Sequence, residues 1–161
     1  MPTSRRDIIK GRLATARKWL DSVTVRLTPD LMDWAPAEGM RTVGGQLAEI
    51  VSVELPLVPF MKNGVAMTDA EMNAVVGDWD DLENMKQKLV DIRNSTLLYL
   101  ASLSEAELDA PSTVSEDWYG CFWQPGEPRA EHFVNIAEHE YYHAGQLISY
   151  MWFRGDDPYR W

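Results

Sequence analysis

Apolar residues recur every three or four positions along most of the chain, and this spacing predicts amphipathic helices. Four long segments carry it: residues 3–27, 42–62, from Asp78 or Asp80 to 103, and 128–153. A short helix to about Val75 is expected between the second and the third, because Thr68 and Glu71 have the spacing of a capping box. Four long helices joined by short or moderate loops predict an all-α fold, an antiparallel four-helix bundle formed by a single domain over residues 1–161.

Prolines and glycines modify this pattern at two places. Pro56 and Pro59 lie inside the second segment, so we expect that helix to bend or restart there. Residues 112–128 form the one extended region, either two short strands or an irregular loop before the last helix. This region is rich in aromatic residues: Trp118, Tyr119, Phe122 and Trp123.

Charge and cysteine content narrow the classes of partner. The net charge of −10 repels phosphates, so neither nucleic acid nor an anionic membrane surface is an expected partner. No segment approaches the roughly 18 consecutive apolar residues of a membrane span, and no signal-peptide pattern is visible, so we expect a cytoplasmic protein. The single cysteine, Cys121, fits a reducing compartment, and its neighbours offer no base, which favours a structural role.

All three histidines lie in the last predicted helix: His132, His139 and His143. At about 100° per residue, positions seven and eleven apart return to within roughly 20° of the first, so the three form one stripe. His139 and His143 are one turn apart and can direct imidazole nitrogens at a single metal ion. His132 lies roughly 10 Å further along the helix, so a buried structural role is favoured for it.

Two known metal motifs fit this helix poorly. His139-Glu140-x-x-His143 has the letters of the zinc-protease motif, in which Glu140 would act as general base. The extended form of that motif requires glycine and histidine where this chain has Gln146 and Ser149. A di-iron carboxylate site requires a Glu-x-x-His on each of two helices, and the sequence contains one. A zinc-dependent hydrolase is therefore a less favoured interpretation.

Three stretches carry a family resemblance. They are His139-Glu140-x-x-His143-x-Gly145-Gln146 in the last helix, Thr42-Val43-Gly44-x-x-Leu47-Ala48 at the start of the second, and Arg-Gly-Asp-Asp-Pro at 154–158. Together they resemble the DinB-like (DinB/YfiT) superfamily of four-helix bundles. That resemblance implies a divalent metal held by three histidines, one from helix two and two from helix four. The helix-two position, directly after Leu47-Ala48, holds Glu49 in this chain.

The resemblance thus implies a metal site formed by His139, His143 and Glu49, and two histidines with one carboxylate are a known facial set for zinc or iron. Periodicity alone selects Glu54 instead, because Glu54 shares the apolar stripe of the second helix and Glu49 lies roughly 120° away from it. Glu54 and His132 therefore remain alternative ligands.

Several members of the superfamily transfer or isomerise substrates with a low-molecular-weight thiol such as bacillithiol, mycothiol or glutathione. By resemblance, we expect a metal-dependent enzyme that holds zinc, nickel, iron or manganese, acts on a small-molecule substrate and forms a homodimer. Tyr142 and Gln146 are its candidate pocket residues. The alternative is a non-catalytic bundle with a degenerate metal site that acts by binding or dimerisation.

Overall fold

A computed structural model describes residues 3–112 and 126–161. Its helices are α1 (Arg5–Thr24), α2 (Val43–Glu54), α3 (Leu57–Asn63), α4 (Asp69–Val76), α5 (Leu82–Ser102), α6 (Glu105–Asp109) and α7 (Arg129–Phe153), with 3₁₀ turns at Pro29–Leu31 and Pro158–Arg160. The described residues contain helices and no strand, which confirms the all-α prediction. Most of the predicted aromatic loop, including Cys121, lies outside the described residues.

Several helix ends lie where local sequence signals predict them. The hydroxyl of Thr42 accepts a hydrogen bond from the backbone N–H of Gly45 (3.0 Å) and so caps α2. The second segment is interrupted at Leu55 and Pro56 and continues as α3, which confirms the predicted restart. The capping box of Thr68 opens α4, also as predicted.

The start of α5 differs from its prediction. Asp81, rather than Asp78 or Asp80, caps the helix, and its carboxylate accepts a hydrogen bond from the backbone N–H of Asn84 (2.6 Å). The carboxylate of Asp78 instead accepts the N–H of Asp80 (3.0 Å), which closes a local turn and delays the helix.

The four long helical stretches pack in a ring. α1 lies against α7, α7 against α2, α2 against α5, and α5 against α1, with the most extensive contact between α1 and α7. This arrangement is a helical bundle; the antiparallel order of its helices stays a prediction. Two apolar clusters fill the interior. Leu47 and Leu147 belong to the first, and Leu57 and Phe133 to the second.

Four charged side chains, one from each side of the ring, meet inside the bundle: Arg17 of α1, Glu54 of α2, Arg93 of α5 and Glu140 of α7. Arg93 donates to both oxygens of Glu54 (2.7 and 2.9 Å) and to Glu140. Arg17 donates to both oxygens of Glu140 (2.9 and 3.1 Å). We call this group the ion-pair quartet. Its two positive and two negative charges cancel, which allows it to be buried.

The quartet also satisfies backbone groups of its neighbours. The remaining guanidinium nitrogens donate to main-chain carbonyls, Arg93 to Leu13 (2.9 Å) and Arg17 to Leu89 (2.6 Å). Glu54 is 2% exposed and Glu140 is 1% exposed, so both carboxylates depend on these arginines for solvation. The relative position of α1, α2, α5 and α7 is therefore fixed by directional bonds as well as by apolar packing.

The stretch at 154–158 has a structural role. The carboxylate of Asp156 accepts hydrogen bonds from the guanidinium of Arg26 (3.0 and 3.1 Å) and from the indole of Trp161 (2.9 Å). Arg26 also lies over the Trp161 ring, 4.6 Å from its centroid. These contacts hold the residues after α7 against the end of α1.

One stretch, Val43–Asn63, is long and apolar enough to cross a membrane by length and composition, with a mean hydropathy of 1.2. It corresponds to α2 and α3 with the break between them. Within the bundle 67% of its apolar window is buried, which is typical of a core helix in a water-soluble fold.

We predict that Arg93→Met destabilises the protein by about 3–5 kcal/mol, because the change leaves two buried carboxylates with one cation between them. Urea unfolding at pH 7 measures the free energy of unfolding. Lys86→Met is the matched control, since Lys86 pairs with the exposed Glu83 (2.8 Å) and such surface pairs contribute at most about 1 kcal/mol. Equal losses in the two variants would contradict a structural role for the quartet.

Candidate metal centre

Glu49 of α2 and His139 and His143 of α7 lie together between two helices of the bundle. One ligand atom from each residue lies within 4.8 Å of the others. The Nε2 atoms of the two histidines are 3.0 Å apart. His139 is 6% exposed and His143 is 4% exposed, whereas the Glu49 side chain is 38% exposed. Among the described residues, the structure thus groups the three side chains selected by the family resemblance.

The two alternative ligands lie elsewhere. Glu54 is on the buried face of α2, as periodicity indicates, but both of its carboxylate oxygens accept hydrogen bonds from Arg93. His132 is fully buried, nearly two turns before His139 on α7. Burial, and then the nearby charge of Arg129, lower the pKa of His132 to about 4, so its imidazole is neutral at neutral pH. Neither residue belongs to the group formed with Glu49.

Glu140 does not have the position of a general base. Its carboxylate is 1% exposed and accepts hydrogen bonds from Arg17 and Arg93 on the interior side of α7. A protease base must reach a water beside the metal, and these two arginines hold Glu140 inside the bundle instead. The zinc-protease interpretation of His139-Glu140-x-x-His143 therefore lacks its base. Glu140 therefore does not lie on a solvated face of the helix.

A chain of hydrogen bonds orients His143. The hydroxyl of Tyr150 donates to the backbone carbonyl of Arg41 (2.9 Å) and accepts from the amide nitrogen of Gln46 (3.0 Å). The amide oxygen of Gln46 therefore faces Nδ1 of His143 and accepts a hydrogen bond from its N–H. Since a neutral imidazole has one N–H, this arrangement leaves the lone pair of His143 on Nε2, which faces His139 and the candidate metal position.

The electrostatics of the site keep both histidines neutral. Burial lowers the pKa of His139, and burial together with the neighbouring His139 and Arg41 lowers the pKa of His143 to about 4. For His139, the charge of Glu49 raises the pKa and the charge of Arg41 lowers it. At neutral pH both imidazoles are thus unprotonated at one nitrogen, the form that binds metal ions.

A pocket of about 370 Å³ opens onto these side chains, within the size range of small-molecule sites. Tyr142 and Gln146, the two candidate pocket residues, both line it. Tyr142 is 63% exposed and its ring packs edge-on against His143, with the centroids 5.1 Å apart. The amide oxygen of Gln146 is buried beside His143.

Sequence reasoning missed three polar residues of this pocket, Arg41, Gln46 and Tyr150, as well as the apolar Met40. Tyr150 follows His143 by seven residues, which places it on the same face of α7. Gln46 is a polar residue on the buried side of an apolar helix, and it is 2% exposed. Arg41 precedes the N-cap of α2, where the helix dipole disfavours a cation. Each of these signals was present in the sequence, but none of them indicates a metal site by itself.

The donor set fits a divalent metal. Two neutral imidazole nitrogens and one carboxylate match the facial set that zinc and non-haem iron accept, and the open pocket leaves room for further ligands. The buried amide of Gln46 provides the hydrogen-bonded support that metal-binding histidines require. The fold and this site together define a helical-bundle protein with a candidate metal centre between α2 and α7.

Comparison with known families agrees with that class. The family model of the DinB superfamily matches residues 12–147, so the chain belongs to the DinB superfamily. The matched range includes Glu49, His139 and His143 and ends before the stretch at 154–158. Comparisons with curated proteins and with solved structures gave no significant match.

We predict that Gln46→Leu weakens zinc binding about 10- to 100-fold, the usual effect of removing the partner of a metal-binding histidine. Competition with a chromophoric chelator measures the affinity. Tyr150→Phe keeps the oxygen of Gln46 and removes only its support, so it should cause a smaller loss. If both variants fold and Gln46→Leu binds zinc as tightly as the wild type, Gln46 does not orient His143.

Proposed function

We propose that the protein is a metal-dependent enzyme that transfers or isomerises small-molecule substrates with a low-molecular-weight thiol. The observation that carries the proposal is the group formed by Glu49, His139 and His143 beside an open pocket of ligand size. Membership of the DinB superfamily supports it, because thiol transfer and isomerisation are activities of proteins that the chain resembles. The expected ion is zinc, nickel, iron or manganese.

Each residue of the site has a defined task in this proposal. His139 and His143 supply neutral imidazole nitrogens, and Glu49 supplies a carboxylate. Gln46 and Tyr150 keep Nε2 of His143 free of a proton. The two imidazoles and the carboxylate would hold a divalent ion, which would supply the positive charge that favours the thiolate form of a thiol at neutral pH.

The transfer step itself is balanced without a redox partner. The thiol loses its proton to solvent, its sulfur forms a bond to an electrophilic carbon of the substrate, and the leaving group departs with the electron pair of the broken bond. The ring of Tyr142 and the amide of Gln146 line the space where the substrate would lie. A cytoplasmic location, where such thiols are kept reduced, belongs to the same proposal.

Metal analysis by mass spectrometry of tag-free protein tests the metal requirement. We expect close to one equivalent of a divalent metal in the wild type, loss of it in a His139→Ala/His143→Ala double variant, and weaker binding in Glu49→Gln. Glu138→Gln is the matched control, because Glu138 lies next to His139 but its side chain is 68% exposed. Thiol consumption with a chromogenic electrophile should then depend on the metal and disappear in the double variant.

Two results would oppose the proposal. A wild-type protein that binds no metal even after loading with excess zinc has no metal centre, and its histidines are structural. A metal-loaded protein that accelerates no thiol reaction above the double variant has a centre without this activity.

A second candidate function, binding or dimerisation without catalysis, is favoured by a separate feature. A groove of about 840 Å³ lies between α1 and α5, with an apolar lining that includes Leu97 and Leu98. Leu98 is 74% exposed, and Lys18 and Asp21 add charges of both signs that two copies could match reciprocally.

Light scattering after size exclusion tests pairing of two copies through this groove. We expect a dimer in the wild type and a shift to monomer in Leu98→Glu, because a charge would enter the apolar contact. Val65→Glu is the control, since Val65 is similarly exposed (68%) and lies outside the groove. A monomeric wild type, or a dimer that survives Leu98→Glu, would rule out pairing through this groove.

A further inference from the structure

Arg41 holds its side chain at the mouth of the metal pocket. A guanidinium nitrogen lies 2.6 Å from a carboxylate oxygen of Glu49, and the two side chains are 45% and 38% exposed. The pair is thus partly open to solvent. Arg41 is one of the residues that line the pocket itself.

Two contacts fix this position of Arg41. Its backbone carbonyl accepts the hydroxyl proton of Tyr150 (2.9 Å), which ties its main chain to the hydrogen-bond chain of His143. Its side-chain stem crosses Gly45 so closely that a Cβ on Gly45 would lie 2.7 Å from Cγ of Arg41. Because Gly45 has no side chain, the side chain of Arg41 has room to pass over it toward Glu49.

The charges in the pocket would no longer balance once it held a metal ion and a thiolate. Among the residues lining the pocket in the described part of the chain, Arg41 carries the one fixed positive charge and Glu49 the one fixed negative charge. If Glu49 were shared with a divalent ion and a thiolate were present, the pocket would retain one uncompensated positive charge. Arg41 would then share its partner Glu49 with the ion and could pair with a second anion.

We propose that Arg41 binds a carboxylate of the thiol cosubstrate, so that the pocket selects an anionic thiol over a neutral one. This inference rests on the proposed function. A guanidinium forms two parallel hydrogen bonds with a carboxylate, a geometry that a neutral group cannot reproduce. The exchange of one carboxylate for another at Arg41 also leaves no charge unpaired when the metal occupies Glu49.

The test compares two thiols of equal length, 3-mercaptopropionate and 3-mercaptopropionamide. Each is titrated into cobalt-loaded protein, and the thiolate-to-cobalt absorption band reports the dissociation constant. We expect the wild type to prefer the carboxylate, and Arg41→Gln to reduce that preference about tenfold, the effect of about 1.4 kcal/mol from one charge-assisted contact. The effect is the ratio of the two thiols' dissociation constants in the variant, divided by the same ratio in the wild type. The intrinsic difference between the two thiols cancels in this comparison.

Three further measurements separate recognition from a structural effect. Arg41→Lys keeps the charge and should retain part of the preference. Gly45→Ala keeps the arginine but displaces its stem, so the preference should fall without loss of charge. Arg41→Gln should bind cobalt at least as tightly as the wild type, because a competitor for Glu49 is removed. A general disturbance of the site would weaken metal and thiol binding together.

The outcomes distinguish this inference from the proposed function. Cobalt binding with no preference in the wild type, or with an equal preference in Arg41→Gln, overturns the role of Arg41 and leaves the metal centre in place. An equal preference in the variant would mean that the carboxylate binds the metal instead. A wild type that takes up no cobalt overturns the metal centre and this inference with it.

Discussion

The buried ion-pair quartet is the constraint on which the rest of the bundle depends. Arg17, Glu54, Arg93 and Glu140 come from four different helices, and each of them is paired with both opposite charges of the group. Apolar packing tolerates small rotations of a helix, whereas bidentate bonds between guanidinium and carboxylate groups do not. The quartet therefore sets the rotation of each helix about its axis, and the two apolar clusters fill the space around it.

The metal centre follows from that rotation. Glu140 and His139 are adjacent on α7 and lie about 100° apart around it, so directing Glu140 toward the arginines turns His139 and His143 toward α2. On α2, Glu54 takes part in the quartet, and Glu49 lies on a different side of the helix, beside the pocket. One side of α7 thus holds the bundle together and the adjoining side carries the chemistry. Glu140, the acidic residue between the two histidines, is structural because its carboxylate is directed toward these arginines.

Sequence patterns predicted the helices because apolar spacing, prolines and caps act locally, and the break at Pro56 and the cap at Thr42 are examples. The site could be predicted from the sequence only in part. Helical spacing places His139 and His143 side by side, but it favours Glu54 over Glu49 as the third metal ligand. Periodicity shows which residues are buried and cannot show that a buried carboxylate has an arginine as its partner, because that pairing joins residues 39 positions apart. Resemblance to a family identified the position of Glu49, and only the packed structure revealed the hydrogen bonds of Gln46.

Anomalous diffraction from crystals grown with zinc would show whether Glu49, His139 and His143 bind one metal ion. We predict one strong zinc peak between α2 and α7, within about 2.0–2.2 Å of an Nε2 atom of both histidines and a carboxylate oxygen of Glu49. We also predict that Glu54 and Glu140 stay bound to their arginines in the same crystal. Zinc bound at other residues, or bound between the histidines with Glu49 turned away, would contradict the assignment of this centre.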